Sequence, residues 1–148
     1  MTPCPAVLAV VLRGDEVLLA RRRNPPNAGA WGYPGGRIEP GEPLAAAALR
    51  ELREETGVEA EFLRSFAALD AIGTEAGADW HYVLIACLCR WTGGEPQAAD
   101  DALEAAWFPL AGLGRRPAPL PAPLIDRVAE LAEAARELMA GAGTGRRP

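Results

Sequence analysis

A chain of 148 residues, 49% hydrophobic and 24% charged, is long enough for one domain with its own core. Its formal charge of −5 argues against an extended nucleic-acid surface, which needs a basic stripe to displace counterions, while local arginines leave a phosphorylated small molecule compatible. The basic residues are all arginine, which removes P-loop and Schiff-base lysine chemistry, and a single histidine, His81, with no CxxC pair excludes zinc sites built on nitrogen and sulfur.

Ala6 to Leu12 and Val17 to Arg21 are short apolar runs around Gly14-Asp15 and predict a β-hairpin. The first run is too short to span a membrane and has no charged segment before it, so neither a membrane span nor a signal peptide is expected. After Arg21, Arg22 and Arg23 a loop rich in Asn, Pro and Gly, residues 24–30, leads to Trp31-Gly32-Tyr33-Pro34. A helix is predicted over Leu44 to Thr56, supported by its alanines and by Arg50 and Glu54 at i, i+4. Strands follow at about Ala60 to Ile72, His81 to Trp91 and Ala105 to Phe108, with turns at Gly73 to Asp79 and Gly93-Gly94. Residues 114–123 read as a proline-rich connector, and Leu124 to Ala140 as a second amphipathic helix. The layout predicts one domain over residues 1–140, an α/β/α sandwich around a mixed β-sheet, and a flexible tail over 141–148. Cys4, Cys87 and Cys89 cannot all pair, and the last two are too close for a usual disulfide, which points to a reducing cytoplasm.

The densest chemical pattern is Gly36 to Val58, GRIEPGEPLAAAALRELREETGV. At 100° per residue Glu51, Glu54 and Glu55 share one helix face, opposite Ala45, Ala48, Leu49 and Leu52. Three acids at helical neighbour spacing repel one another, so a hard, oxygen-seeking divalent cation among them makes sense of the arrangement. An ordinary solvated acidic face is the plain alternative, and the glycines and prolines on both flanks of the helix count against it.

The window matches G-x5-E-x7-R-E-U-x-E-E-x-G-U at Gly36, Glu42, Arg50, Glu51, Leu52, Glu54, Glu55, Gly57 and Val58, and on those residues the chain resembles the Nudix hydrolases. The resemblance implies a Nudix-type fold and Mg²⁺ or Mn²⁺ held by Glu51, Glu54, Glu55 and the Gly35 carbonyl. It also implies that Arg50 orients Glu51 and locks the preceding loop, with Glu42 in the outer shell or on a further metal. The general base would be a box glutamate or a later acid, with Asp100, Asp101 and Glu104 as the loop candidates. Arg21 and Arg22 stand where similar proteins contact substrate phosphate, and Tyr33, Trp31 and Trp80 are candidates for stacking on a base. The implied activity is hydrolysis of the diphosphate in small nucleoside diphosphate-linked substrates, ADP-ribose-like or (d)NTP, to a nucleoside monophosphate. A nucleotide-sensing module without turnover is the alternative, although such modules usually lack box acids and this chain has them all. Residues 5–42 are similar to the bacterial MutT-like and ADP-ribose pyrophosphatase-like members. The proline about 15 residues beyond the box that marks one ADP-ribose-hydrolysing group is missing, so the substrate, and whether the chain forms a homodimer, stay open.

Overall fold

The structure, a computed structural model, describes residues 1–113 and 123–143. In chain order it contains β1 (Cys4–Arg13), β2 (Glu16–Arg22), β3 (Trp31–Gly32), β4 (Gly35–Arg37), α1 (Leu44–Thr56), β5 (Glu59–Glu75), β6 (Ala78–Gly93), β7 (Ala102–Pro109) and α2 (Val128–Gly143). The strands form one sheet ordered β3-β2-β1-β6-β5, with β4 on β1 and β7 on β2. β1 runs parallel to β6 and the remaining pairs are antiparallel, so the sheet is mixed as expected.

Period-two alternation gives β1 two apolar faces. Val7, Ala9 and Val11 pack with Ala47, Ala48 and Leu52 of α1, whereas Val10 and Leu12 join Val128, Leu131, Ala132 and Ala135 of α2. One helix on each side of the sheet makes the α/β/α sandwich. Leu52 is fully buried, which removes an area worth about 1.5–3 kcal/mol from water and anchors the inner face of α1.

The predicted hairpin forms, but β1 and β2 pair only at Leu12↔Val17 and Arg13↔Glu16 before they part. Into the gap comes the segment from Trp31 to Arg37: β3 pairs with Ala20 and Arg21 of β2, Pro34 accepts the Ala9 N–H at 2.8 Å, and β4 pairs with Ala6, Val7 and Leu8 of β1. Both strands are too short to register as strands in the sequence. Their crossing opens a cleft on the sheet.

Several boundaries differ from the expected ones. β5 and β6 extend to a tight turn at Ala76-Gly77, whose φ values of 54° and 78° suit a two-residue hairpin turn, so Gly73 lies inside a strand. α2 starts at Val128 because Leu124 bridges to Trp31 and the Ile125 N–H donates to the Trp31 carbonyl at 2.8 Å. It continues to Gly143, so the first three residues of the expected tail are helical, and 144–148 lie outside the described residues. The proline-rich connector lies outside them too, apart from Pro123. No helix among the described residues is long and apolar enough to cross a membrane.

Candidate active site

Helix α1 begins behind Pro43 and stops at Gly57, whose φ of 74° permits the left-handed cap in which its N–H donates to the Arg53 carbonyl. Thr56, the buried polar residue of the core, donates its hydroxyl to the Leu52 carbonyl at 2.7 Å. The helix end also holds the chain that follows β6, through the Gln97 N–H on the Thr56 carbonyl and the Ala99 N–H on the Glu55 carbonyl, each 2.9 Å. That contact brings Asp101 to the cleft wall, whereas Asp100 is exposed and does not line it.

Arg50 ties the box together. Its Nε donates to Glu42 at 2.6 Å and its two terminal nitrogens reach Glu42, Glu51, Glu54 and the Arg37 carbonyl at 2.9–3.2 Å. The Glu42 side chain also accepts the Glu39 N–H at 3.0 Å. Hydrogen bonds from Arg50 and from that N–H hold the Glu42 carboxyl down at about 2, and Glu42 in turn raises the Arg50 guanidinium above its usual range. Glu42 thus meets Arg50 and the Glu39 backbone and does not line the cleft.

Beyond Arg50 stand Glu51 and Glu55, one turn apart, facing the Gly35-Gly36 backbone. The Gly35 N–H lies 3.4 Å from a Glu55 oxygen. Both glycines are needed for close approach: a Cβ on Gly35 would strike the Val7 carbonyl, and one on Gly36 would strike the Glu51 carboxylate. Burial pushes the Glu55 carboxyl up to about 9; the hydrogen bond and negative charge of Glu51 add to the rise, and the Gly35 N–H and Arg22 act against it. The glutamates expected on one exposed face are thus divided. Glu51 keeps only 15% side-chain exposure and meets Glu55, whereas Glu54 is 46% exposed and paired with Arg50. Among the described residues no three acidic, imidazole or thiol side chains converge on one point.

The Glu51–Glu55 pair closes one end of a cleft of about 430 Å³ whose wall includes Arg21, Arg22, Tyr33, Gly35, Gly36, Arg37, Trp80, Tyr82 and Asp101. A hard divalent cation suits this end. The donors are all oxygen, and the two carboxylates meet against a glycine wall with no side chain of its own, so a cation would relieve the repulsion between them.

Arg21 and Arg22 both line the cleft, though each is partly engaged. Arg21 donates to the Gly29 carbonyl at 3.0 Å and pairs with Glu104, and Arg22 donates to the Pro26 carbonyl at 2.6 Å. Asp101 is in the wall and accepts from the Asn24 amide at 3.0 Å. Glu104 is not in the loop: it belongs to β7, opposite Arg21, and does not line the cleft, which removes it from the candidate acids. Tyr33 lines the cleft yet is 8% exposed, and its hydroxyl donates to the Val128 carbonyl at 2.7 Å, so its ring is wall and core, not a free stacking surface. Trp31 is buried edge-on to Phe108 and is core. Trp80 remains half-open in the cleft. Arg37 and Tyr82 were not singled out in the sequence. They share a hydrogen bond that raises the Arg37 pKa, and the sequence signal for Arg37 is its place directly after the Gly35-Gly36 pair. His81 is half-buried in β6 opposite Ile72, a structural position. The three cysteines are free, and burial raises the Cys87 and Cys89 thiols to about 11 and 12.

A NUDIX domain model matches residues 2–131. The human (Homo sapiens) 8-oxo-dGDP phosphatase NUDT18 is 39% identical over 141 residues, covering 90% of this chain and 40% of that protein. An ADP-ribose pyrophosphatase of Methanocaldococcus jannaschii is 34% identical over 113 residues, covering 75% of this chain and 64% of that protein, so the chain spans less than two thirds of either relative's length. Among solved structures, a MutT NUDIX hydrolase from Burkholderia pseudomallei superposes with a TM-score of 0.73 at 29% identity over 90% of this chain and 98% of that one. With the domain model covering nearly the whole chain and the box residues gathered beside one cleft, the protein belongs to the NUDIX domain family.

Proposed function

We propose that the chain is a divalent-cation-dependent pyrophosphohydrolase of small nucleoside diphosphate-linked substrates, ADP-ribose-like or (d)NTP, releasing a nucleoside monophosphate. The observation that carries this reading is the Glu51–Glu55 pair against Gly36, at one end of a cleft that also presents Arg21, Arg22 and Arg37. Mg²⁺ or Mn²⁺, held by Glu51 and Glu55 with the Gly35 carbonyl, and by Glu54 once it turns from Arg50, would supply neutralisation of the charge that builds on a departing phosphate.

The residues of the chain supply the rest. Arg21, Arg22 and Arg37 offer guanidinium groups to phosphate oxygens, and Arg50 keeps Glu51 and the β4 backbone in place without lining the cleft. The cleft wall carries four carboxylates, Glu51, Glu55, Asp101 and Asp126; with Glu51 and Glu55 given to the cation, Asp101 is the loop acid there to take a proton from attacking water. The relatives named for 8-oxo-dGDP and ADP-ribose hydrolysis support a nucleotide substrate. Three unpaired thiols support a cytoplasmic setting.

The test is a panel of ADP-ribose, other nucleoside diphosphate-linked sugars and (d)NTPs, incubated with Mg²⁺ or Mn²⁺ and again with excess EDTA. Monophosphate release is expected with metal and none with chelator, while the thermal melt of the chelated protein stays cooperative. Full turnover in excess EDTA would contradict the metal reading. Turnover of capped RNA or a non-nucleotide polyphosphate alone would contradict the substrate reading.

A further inference from the structure

Across β1 from β4, strands β5 and β6 form a surface whose Tyr82 meets Arg37 and whose Trp80 has no part in the proposed hydrolysis. Along β6 the alternation places Trp80, Tyr82 and Leu84 on one side, and their partners in β5 are Gly73, Ala71 and Leu69. All of these except Gly73 line the cleft. Side-chain size falls along β5 from Leu69 to Ala71 to Gly73 as it rises along β6 from Leu84 to Trp80, so the indole lies in a space that a side chain would otherwise fill. A Cβ on Gly73 would come within 2.7 Å of Trp80 Cζ2, with two more ring atoms at 3.2 and 3.3 Å. Gly73 does not adopt a positive φ, so the turn does not require it; the indole does.

Trp80 differs from the other three tryptophans. Trp31 is buried against Phe108, and Trp91 and Trp107 stack edge-on beneath Arg13. Trp80 belongs to neither core cluster, has no ring or cation–π partner among the described residues, and is half-buried in the cleft wall. A large aromatic residue held in an opening by a glycine, and contributing to no core, is placed to receive a flat ligand.

Its place beside the phosphate-side wall fits that role. Ala6 of β1 pairs with Arg37 of β4 on one side and with Leu84 of β6 on the other, and the Arg37 side chain reaches across to Tyr82. Trp80 is two residues beyond Tyr82 on the same face, roughly 7 Å along the strand at ~3.3 Å per residue. A ribose can carry the base from a phosphate at Arg37 to the ring.

We propose that Trp80, seated on Gly73, is the stacking platform for the nucleobase, and that it makes the cleft selective for nucleotides over base-free phosphates. The inference rests on the nucleotide reading above and adds the element that recognises the base. Every base has an aromatic face, and stacking on an aromatic side chain is worth about 1–3 kcal/mol per base, or about 5- to 150-fold in affinity.

The experiment is equilibrium binding of AMP and of ribose 5-phosphate by calorimetry with wild type, Trp80→Ala, Trp80→Phe and Gly73→Val, each confirmed as folded by thermal melt. Wild type is expected to hold AMP at least about 5-fold more tightly than ribose 5-phosphate. Trp80→Ala should remove that preference by weakening AMP alone, Trp80→Phe should keep most of it, and Gly73→Val should weaken AMP by displacing the ring. The proposal is overturned if wild type shows no preference, if Trp80→Ala leaves AMP affinity unchanged, or if it weakens both ligands equally, which is what a merely structural tryptophan would do. Failure of the hydrolase reading is separable, because AMP binding that depends on Trp80 in a protein without turnover leaves the platform standing.

Discussion

Glu55→Gln is expected to lose at least about 10²-fold in kcat and yet to melt higher than wild type at pH 8 in metal-free buffer. The loss follows from removing a carboxylate at the place where charge must be handled, on the scale of one lost transition-state contact. The gain follows from the carboxyl's environment. Folding raises its pKa from 4.5 to about 9, chiefly by burial and then by Glu51, so the folded chain keeps a proton that the unfolded chain releases. The stability tied to that proton is fully present below about pH 4.5 and is lost as pH rises through about 9. At pH 8 most of it is gone in wild type, whereas a neutral Gln loses nothing. A gain of only about 1 kcal/mol corresponds to roughly 2–4 °C in Tm for a chain of this size. Scanning melts of both proteins from pH 5 to pH 9 should show a falling wild-type Tm and a flatter line for Glu55→Gln. Near-normal turnover in the folded variant, or parallel pH curves, would remove Glu55 from its assigned role.

Arg50→Ala is the second large effect, with kcat/KM expected to fall about 10²-fold although Arg50 does not line the cleft. The guanidinium joins Glu42, Glu51, Glu54 and the Arg37 carbonyl, so its loss frees both the acid and the backbone that faces it. Misplacement of a reacting group by about 1 Å is enough for a loss of that size. The remaining turnover should need more metal than wild type does, a change that simple unfolding would not produce. A folded Arg50→Ala enzyme with unchanged kcat/KM would mean that the β4 backbone and Glu42 hold the geometry unaided.

What was legible in the sequence was local. The ends of α1 agree with the expected helix because its alanines, Pro43 and Gly57 act within a turn of where they stand. Both sides of the sandwich could be anticipated from the two faces of the Ala6 to Leu12 run. What escaped depends on contacts between distant segments. A helical wheel treats Glu51, Glu54 and Glu55 as equivalent; the position of the Gly35-Gly36 backbone, set by pairing with Val7 and Leu8, brings Glu51 and Glu55 to the cleft and leaves Glu54 to Arg50. Tyr33 and Trp31 looked as available for stacking as Trp80, and only the closure of α2 and Phe108 over them shows that they are core. Gly73 looked like turn punctuation, and its partnership with Trp80 emerges only from the β5–β6 register. Leu124 and Ile125 fit a helical period and instead pair with Trp31, since a backbone bridge to β3 holds them outside α2.

The central claim is that water attacks a phosphorus of a nucleoside-linked diphosphate at the Glu51–Glu55 end of the cleft, and product analysis in ¹⁸O-labelled water with Mg²⁺ tests it most directly. With ADP-ribose and a (d)NTP as substrates, the account predicts a nucleoside monophosphate among the products of at least one of them, with a single ¹⁸O on one of the two phosphate products. Release of ADP with free ribose, label in a sugar hydroxyl, or no labelled phosphate from any member of the nucleotide panel would contradict it.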